Sequence, residues 1–488
     1  MSASTAPSVP SRRGWGGAAP PRRASAKLRG VDPAPARPRS HEVPKAREVI
    51  GLALPALGAL AAEPLYVLGD TAIVGHLGRV PLAGLAIAGT LLSEIVGLCT
   101  FLEYGTTAKA ARLYGAGQEP EALDVGVQAT WLALALGTLC TIALELAAGP
   151  ALRLIAGSSD SASLHEALTW FRIAALGAPF MLVIAAAQGW LRAFQDTRTG
   201  FAVLLASNLA SVALSLTLIR GFGLGIEGSA IANVVSQVAA AAVFGALLVR
   251  RTTALAPSWE RMVPQLRAAR DLGLRSLAFT AAFLLAAAVA ARMGDAQVAA
   301  HTIGFQLWIF VALALDSVAI AAQALIGRLL GAGAVDSAAT LARRLAGAGL
   351  VFGVAVGALF AAGHDVIPAL FTSDDEVLRQ AGILWPWLVG MMPLAGILFA
   401  LDGVFFGAGD LAFMRRMTLI AALGAFLPLL IAAHVFDLGL GGVWAGIAAF
   451  IAVRMLLAGL RWRSRRWLVA GTLMVDERPV EAGSSRFE

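Results

Sequence analysis

The sequence predicts an all-α, polytopic membrane protein with twelve spanning helices, built as two six-helix repeats of the same orientation. Three observations predict it. Of 488 residues, 58% are hydrophobic and only 14% charged, whereas soluble domains carry about 25% charged residues. Apolar runs recur along the chain at about 20 residues each, the length an α-helix needs to cross a hydrocarbon core; a membrane β-barrel would show alternating segments of about ten. Finally, the second half of the chain repeats the first.

Residues 1–48 are rich in Pro, Arg, Ser and Ala, with acids only at Asp32, Glu42 and Glu48. Such a segment cannot bury a core, and it is expected to be a disordered, basic cytoplasmic tail; its Arg- and Ser-rich, acid-poor start also fits an organelle transit peptide. Spans follow near 49–75, 82–112, 122–149, 164–191, 199–219, 227–249, 270–293, 297–328, 337–362, 377–406, 413–435 and 441–461. This gives an N-terminal lobe over 49–249, a linker over 250–269 with Pro257 and Pro264, a C-terminal lobe over 270–463 and a second tail over 464–488.

The first span is the most informative. It is apolar, yet it carries Glu63 and Asp70 and is interrupted by Pro55 and Pro64. A charge inside a membrane span costs several kcal/mol, at ~2.5 or more, and marks a functional site by default. Seven residues at about 100° each place both carboxylates on one helix face, roughly 10 Å apart. Proline removes a backbone donor and bends a helix, so Pro55 and Pro64 are expected to be bending points. Tyr66, one turn before Asp70, is either an aromatic contact for a planar cation or plain packing.

Other spans carry Glu94, Glu103 and Glu145, read as structural, with Glu103 satisfied by Lys109 or by a water-filled vestibule. Asp316 and Asp402 in the second half are expected to touch substrate or to serve gating and packing. Gly115, Gly117, Gly331 and Gly333 are expected to end the second and eighth spans, as glycine commonly does.

Arginines sort by loop. One side collects the N-terminal tail, Lys109, Arg112, Arg192, Arg198, the 250–270 loop, Arg328, Arg343, Arg344, Arg415, Arg416 and Arg461 to Arg466; the other has Arg79, Arg153, Arg220 and Arg379. The positive-inside rule then places both termini in the cytoplasm, as an even number of spans requires. The net charge of +7 follows from this bias and needs no nucleic-acid partner. Two cysteines, Cys99 and Cys140, lie in apolar runs, so no disulfide framework or metal cluster is expected. There is no P-loop, dinucleotide fingerprint, HExxH or GxSxG. ATP-driven pumping and enzyme catalysis are therefore not expected, nor is any cofactor beyond a coupling ion.

The repeat aligns without gaps over long stretches. LGRVPLAGLAI at 77–87 matches MGDAQVAAHTI at 293–303, and ARLYGAG at 111–117 matches GRLLGAG at 327–333, both at an offset of 216. Later the offset is 214, placing GWLRAFQD at 189–196 on GVFFGAGD at 403–410 and FGLGIEG at 222–228 on FDLGLGG at 436–442. Six is even, so the copies are parallel repeats, the arrangement of rocking alternating-access transporters. Asp70 falls on Ala286 and Glu63 on Phe279, so the carboxylates belong to one lobe only.

DTAIVGHLG in the first span, YGTTAxxARLYGAG ending the second, LDSVAIAAQALIGRLLGAG in the eighth and LDGVFFGAGD in the tenth resemble the multidrug and toxic compound extrusion (MATE) family, especially its DinF-like branch. The resemblance spans about residues 46–466. It implies two six-helix bundles in a V shape, H⁺ or Na⁺ antiport and export of bulky, often cationic, amphipathic compounds. It places the family's first-span aspartate on Asp70 and its first-span proline on Pro55. The family's fifth-span Asn and Asp fall on Ser211 and Ser215, or, three residues earlier, on Asn208. Hydroxyls cannot share a cation's charge, which favours a proton over a sodium cage.

The expected protein is thus a monomeric, multi-pass efflux transporter of the plasma (inner) membrane, exchanging H⁺, or second Na⁺, for small molecules. The rivals are a lipid or lipid-linked-sugar flippase, which needs cavity cations where Arg292 is the main intramembrane one, a channel, and a membrane-embedded enzyme.

Overall fold

The computed structural model describes residues 42–98, 101–156 and 161–477. The N-terminal tail through residue 41, Cys99 and the end of the C-terminal tail lie outside these residues. Every regular element among the described residues is helical. The chain is a multi-pass membrane protein: large apolar side chains point outward, Leu146 and Leu154 with more than four-fifths of their surface exposed, as a lipid-facing surface requires.

The first half runs through α1 (Ala46–Gly75), α2 (Arg79–Leu98), α3 (Phe101–Gly115), α4 (Glu119–Ala156), α5 (Ser161–Ala175), α6 (Ala178–Ala193), α7 (Thr197–Leu216) and α8 (Gly225–Val249). The second half runs through α9 (Trp259–Met293), α10 (Asp295–Gly331), α11 (Val335–Ala362), the short α12 (Val366–Ala369), α13 (Asp375–Ala408), α14 (Leu411–Ala421), α15 (Leu427–Val435) and α16 (Gly439–Arg463). π-turns continue α7 over Thr217–Gly221 and join α14 to α15 over Ala422–Phe426.

Twelve spans were expected; among the described residues ten helices are long and apolar enough to cross a bilayer, or eleven if α5 and α6 form one span bent by 51°. That bend falls at Leu176-Gly177, where Pro179 opens α6 and cannot donate to a preceding turn. The predicted second span is divided between α2 and α3, with residues 99–100 outside the description. Within the expected linker 250–269, α9 begins at Trp259 and takes Pro264 into its second turn. In α1 the helix runs unbroken through Pro55 and Pro64.

The duplication is visible in the backbone. Left-handed residues occur in pairs at the sequence offsets: Gly117 and Gly333 (φ +79° and +77°), Gln195 and Gly409 (+63° and +68°), Gly223 and Asp437 (+69° and +49°), Gly225 and Gly439 (+57° and +62°). One large core draws on Leu52 and on residues from Ala268 to Trp467; three smaller cores use only residues between Val74 and Leu248.

The halves meet where α3 and α10 end. A Cβ on Gly115 would overlap the backbone of Arg328, and one on Gly331 the backbone of Arg112. These are repeat-related pairs, so the crossing is reciprocal. All four glycines lie at helix ends as expected, Gly115 and Gly331 as the last residues of α3 and α10 and Gly117 and Gly333 as the left-handed residues beyond them; Gly115 and Gly331 also serve a backbone-to-backbone crossing that any side chain would obstruct. Nearby, Tyr104 stacks on Phe406 at 4.7 Å, Gln323 Nε2 donates to the Tyr104 carbonyl at 2.7 Å, and Arg328 Nη1 donates to Gln195 Oε1 at 2.8 Å.

Candidate functional site

The buried face of α1 follows helical spacing through Leu52, Ala56, Ala59, Ala62, Tyr66, Asp70 and Val74. It carries Asp70, only 3% exposed, into the first half. Ser215 Oγ on α7 donates to Asp70 Oδ1 at 3.0 Å, and Ser229 Oγ on α8 donates to Oδ2 at 2.7 Å. Trp170 Nε1 on α5 donates to Ser229 Oγ at 3.0 Å, which fixes that hydroxyl. Among the described residues Asp70 has no cationic partner within ion-pair distance.

One turn earlier, the Tyr66 hydroxyl accepts from Asn233 Nδ2 at 2.8 Å. Ser211 is buried in the same neighbourhood, and both Ser211 Oγ and Asn233 Oδ1 are buried without a hydrogen-bond partner. Four helices thus converge on a small polar site in an apolar bundle. Tyr66, a candidate for substrate contact or plain packing, is 8% exposed with its hydroxyl held by Asn233.

Glu63 does not share this environment. The buried stripe passes through Ala62 and Tyr66 and leaves Glu63 exposed; because the helix is unbroken, Glu63 still lies on the Asp70 side, about two turns away. Asn208 is not at the carboxyl either: its Nδ2 donates to the Ala62 carbonyl at 3.0 Å. Pro55 lies four turns below Asp70, lining a groove with Arg47, Leu54 and Arg198.

A second charged layer lies between the halves. Asp402 on α13 is 4% exposed, and its Oδ2 accepts from Arg454 Nη2 on α16 at 2.6 Å and from Arg275 Nη2 on α9 at 2.9 Å. Arg275 also lies over Phe406 and Phe279, and Arg454 over Phe279. Asp402 is therefore the anion of a buried pair and not an open substrate contact. Asp316 on α10, half-buried, lies within electrostatic reach of Arg275, Asp402, Arg192 and Glu103. Glu103 pairs with Arg192 of α6, so neither Lys109 nor a vestibule satisfies it, and Lys109 reaches Glu477 instead. The expectation that Arg292 dominates the intramembrane cations is likewise corrected: Arg112, Arg192 and Arg454 are buried, Arg275 is half-buried, and Arg292 is exposed.

Sequence reasoning missed Trp170, Ser229 and Asn233. One signal was available: Ser229 and Asn233 are four residues apart in the apolar α8, and polar groups on one face of a span point into a bundle.

Repeated halves of membrane helices, with a carboxyl buried in one of them and held by hydroxyls, are the architecture of a multi-pass membrane transporter. The chain belongs to the MatE family, whose model matches residues 55–217 and 272–431. It is 31% identical over 430 residues to "Protein DETOXIFICATION 44, chloroplastic" of Arabidopsis thaliana, covering 86% of this chain and 82% of that one. It is 32% identical over 432 residues to "DNA damage-inducible protein F" of Escherichia coli K12, covering 85% and 91%. The solved "Crystal structure of MATE in the bent conformation" shares the fold at a TM-score of 0.79 and 23% identity, over 86% of this chain and 95% of that one.

Proposed function

We propose that the chain is a secondary active exporter in which a proton entering at Asp70 drives amphipathic, cationic small molecules out by alternating access. The observation that carries this reading is the Asp70 carboxyl, buried in a span and held by two hydroxyls, with no cation at ion-pair distance among the described residues. A hydroxyl donates to a carboxylate and, after rotation, accepts from a carboxylic acid. Ser215 and Ser229 can therefore satisfy Asp70 with and without its proton. Guanidinium groups only donate, so Asp402 and Glu103, held by arginines, are poorly suited to the same cycle.

In this cycle the halves 49–249 and 270–463 are the moving lobes, the Arg-rich end is cytoplasmic with both termini, and the membrane is the plasma membrane. A proton reaches Asp70 from outside and α1 shifts about Pro55 and Pro64. Substrate then leaves. The empty protein turns inward, releases the proton and reloads. Proton and substrate disfavour each other's binding by linkage. Each chain holds a complete site, so a monomer suffices. Glu63, exposed on α1, is a relay or a cation contact at the cavity side. Asp316 is the acid of the second layer best placed to meet a cation.

Sodium is the second reading, favoured by two unpartnered oxygens, Ser211 Oγ and Asn233 Oδ1, beside the site. A flippase would need free cations for phosphate, whereas Arg275 and Arg454 are both engaged by Asp402. The deciding experiment is transport of a panel of organic cations into proteoliposomes under separate H⁺ and Na⁺ gradients. Proton coupling is expected; transport that needs Na⁺ and ignores the pH gradient would reverse the ion, and transport driven by neither would overturn antiport.

A further inference from the structure

The segment after α16 is not a loose tail. The chain turns back at Arg465 (φ +54°) and buries Trp467, which is 1% exposed, stacked on Trp462 at 5.3 Å and edge-on to Phe405. Met474 is packed on Gly409. Asp476 Oδ2 accepts from the Ala412 N–H at 2.8 Å, at the start of α14. The Gly471 N–H donates to the Leu330 carbonyl at 2.8 Å, at the end of α10. Tryptophan, methionine and aspartate thus seat this strap on the second half.

Its other face grips the first half. Arg112 of α3 is fully buried, and its Nη1 donates to the carbonyls of Val469, Gly471 and Leu473 at 3.0, 2.9 and 2.7 Å; its Nη2 donates to the Ala408 carbonyl at 2.8 Å. One turn before it, Lys109 Nζ pairs with Glu477 at 2.6 Å. The two halves differ here: Arg328, the counterpart of Arg112, donates to Gln195, and the segment after α8 is bonded by Gln128 and Trp131 of α4 within its own half. Arg112 and Arg328 are the two residues whose backbones meet Gly331 and Gly115 at the crossing. The strap therefore closes over the point at which the halves touch, and the ends of α3 and α10 cannot separate without breaking the bonds to Arg112.

We infer that Trp467–Glu477 is an inter-lobe latch: it moves with the second half, holds the Arg-rich end shut through Arg112 and Lys109, and lets go of both residues when that end opens. This rests on the alternating-access reading above. Arg112 is a positioning residue, acting through strap carbonyls and touching no substrate. A lysine there keeps the charge but not the fork that reaches several carbonyls at once.

The test uses the full chain with Cys99 and Cys140 replaced and spin labels at Gln118 and Asp336, exposed positions beside the α3 and α10 ends. A second pair at Arg79 and Asp295 reports the opposite end. Lys109→Ala, Glu477→Ala and Arg112→Lys should each raise the long-distance population of the first pair, the exposed-pair variants about two- to fivefold. The swap of Lys109→Glu with Glu477→Lys should restore the original distribution. Because the Lys109–Glu477 pair is partly exposed, its variants are expected to fold even where Arg112 variants do not. Two populations that none of the variants shifts would overturn the latch and leave alternating access standing. A single distance at both ends in every variant would overturn both.

Discussion

At the scale of single residues, the molecule places two kinds of buried acid in different surroundings. Asp70 is held by hydroxyls that can exchange roles, whereas Asp402 is fixed between Arg454 and Arg275. Breaking a buried ion pair leaves an uncompensated charge and costs about 3–5 kcal/mol. Asp402→Asn should therefore lower stability by roughly that amount, read as an earlier thermal unfolding midpoint in detergent, and Asp402→Asn with Arg454→Gln should lose less than the two single changes summed. Additive losses would show that the pair is not coupled. Asp70 was legible because a carboxylate stands out in an apolar run. Ser229 and Trp170 were not, since hydroxyls and indoles are ordinary in spans. The Asp402 partners lie 127 and 52 residues away, beyond any spacing rule.

At the scale of elements, the existence and order of the helices could be read from apolar runs of membrane length. Their breaks could not. The bend at Leu176-Gly177 interrupts an apolar run that reads as one span despite Pro179, and the strap after α16 follows an Arg-rich run that reads as solvated tail. Asp476 gives that strap a pH dependence. Burial pushes its carboxyl up to about 6, Asp410 and Asp271 add to the rise, and the Ala412 and Leu411 N–H groups oppose it. Undocked, it titrates near the ordinary aspartate value of about 3.9. A raised pKa in the docked state means that docking is favoured by protonation. The contribution is complete below about pH 4 and is lost as pH rises through about 6. Hydrogen exchange of the strap amides, corrected for intrinsic rate, should thus show more protection at pH 4.5 than at pH 7.5. Asp476→Asn should flatten the difference, and equal protection in the unchanged protein would contradict it.

At the scale of the whole molecule, duplication organises both fold and chemistry. The repeat was legible at offsets of 216 and 214, and the paired left-handed residues carry it into the backbone. The end at which the halves touch was not legible. The glycines that decide it resemble helix caps in sequence, and only the crossing of α3 and α10 distinguishes Gly115 from Gly117. Because the copies have diverged, Asp70 faces Ser215 and Ser229 in one half, while its counterpart in the other is the buried Ala286. That asymmetry is the basis for assigning the proton to the first half alone. The most direct measurement is proton movement driven by substrate in proteoliposomes carrying Asp70→Asn, compared with the unchanged chain and with substrate binding measured in parallel. The expected result is retained binding with substrate-driven proton movement abolished; undiminished proton movement in Asp70→Asn would contradict the assignment.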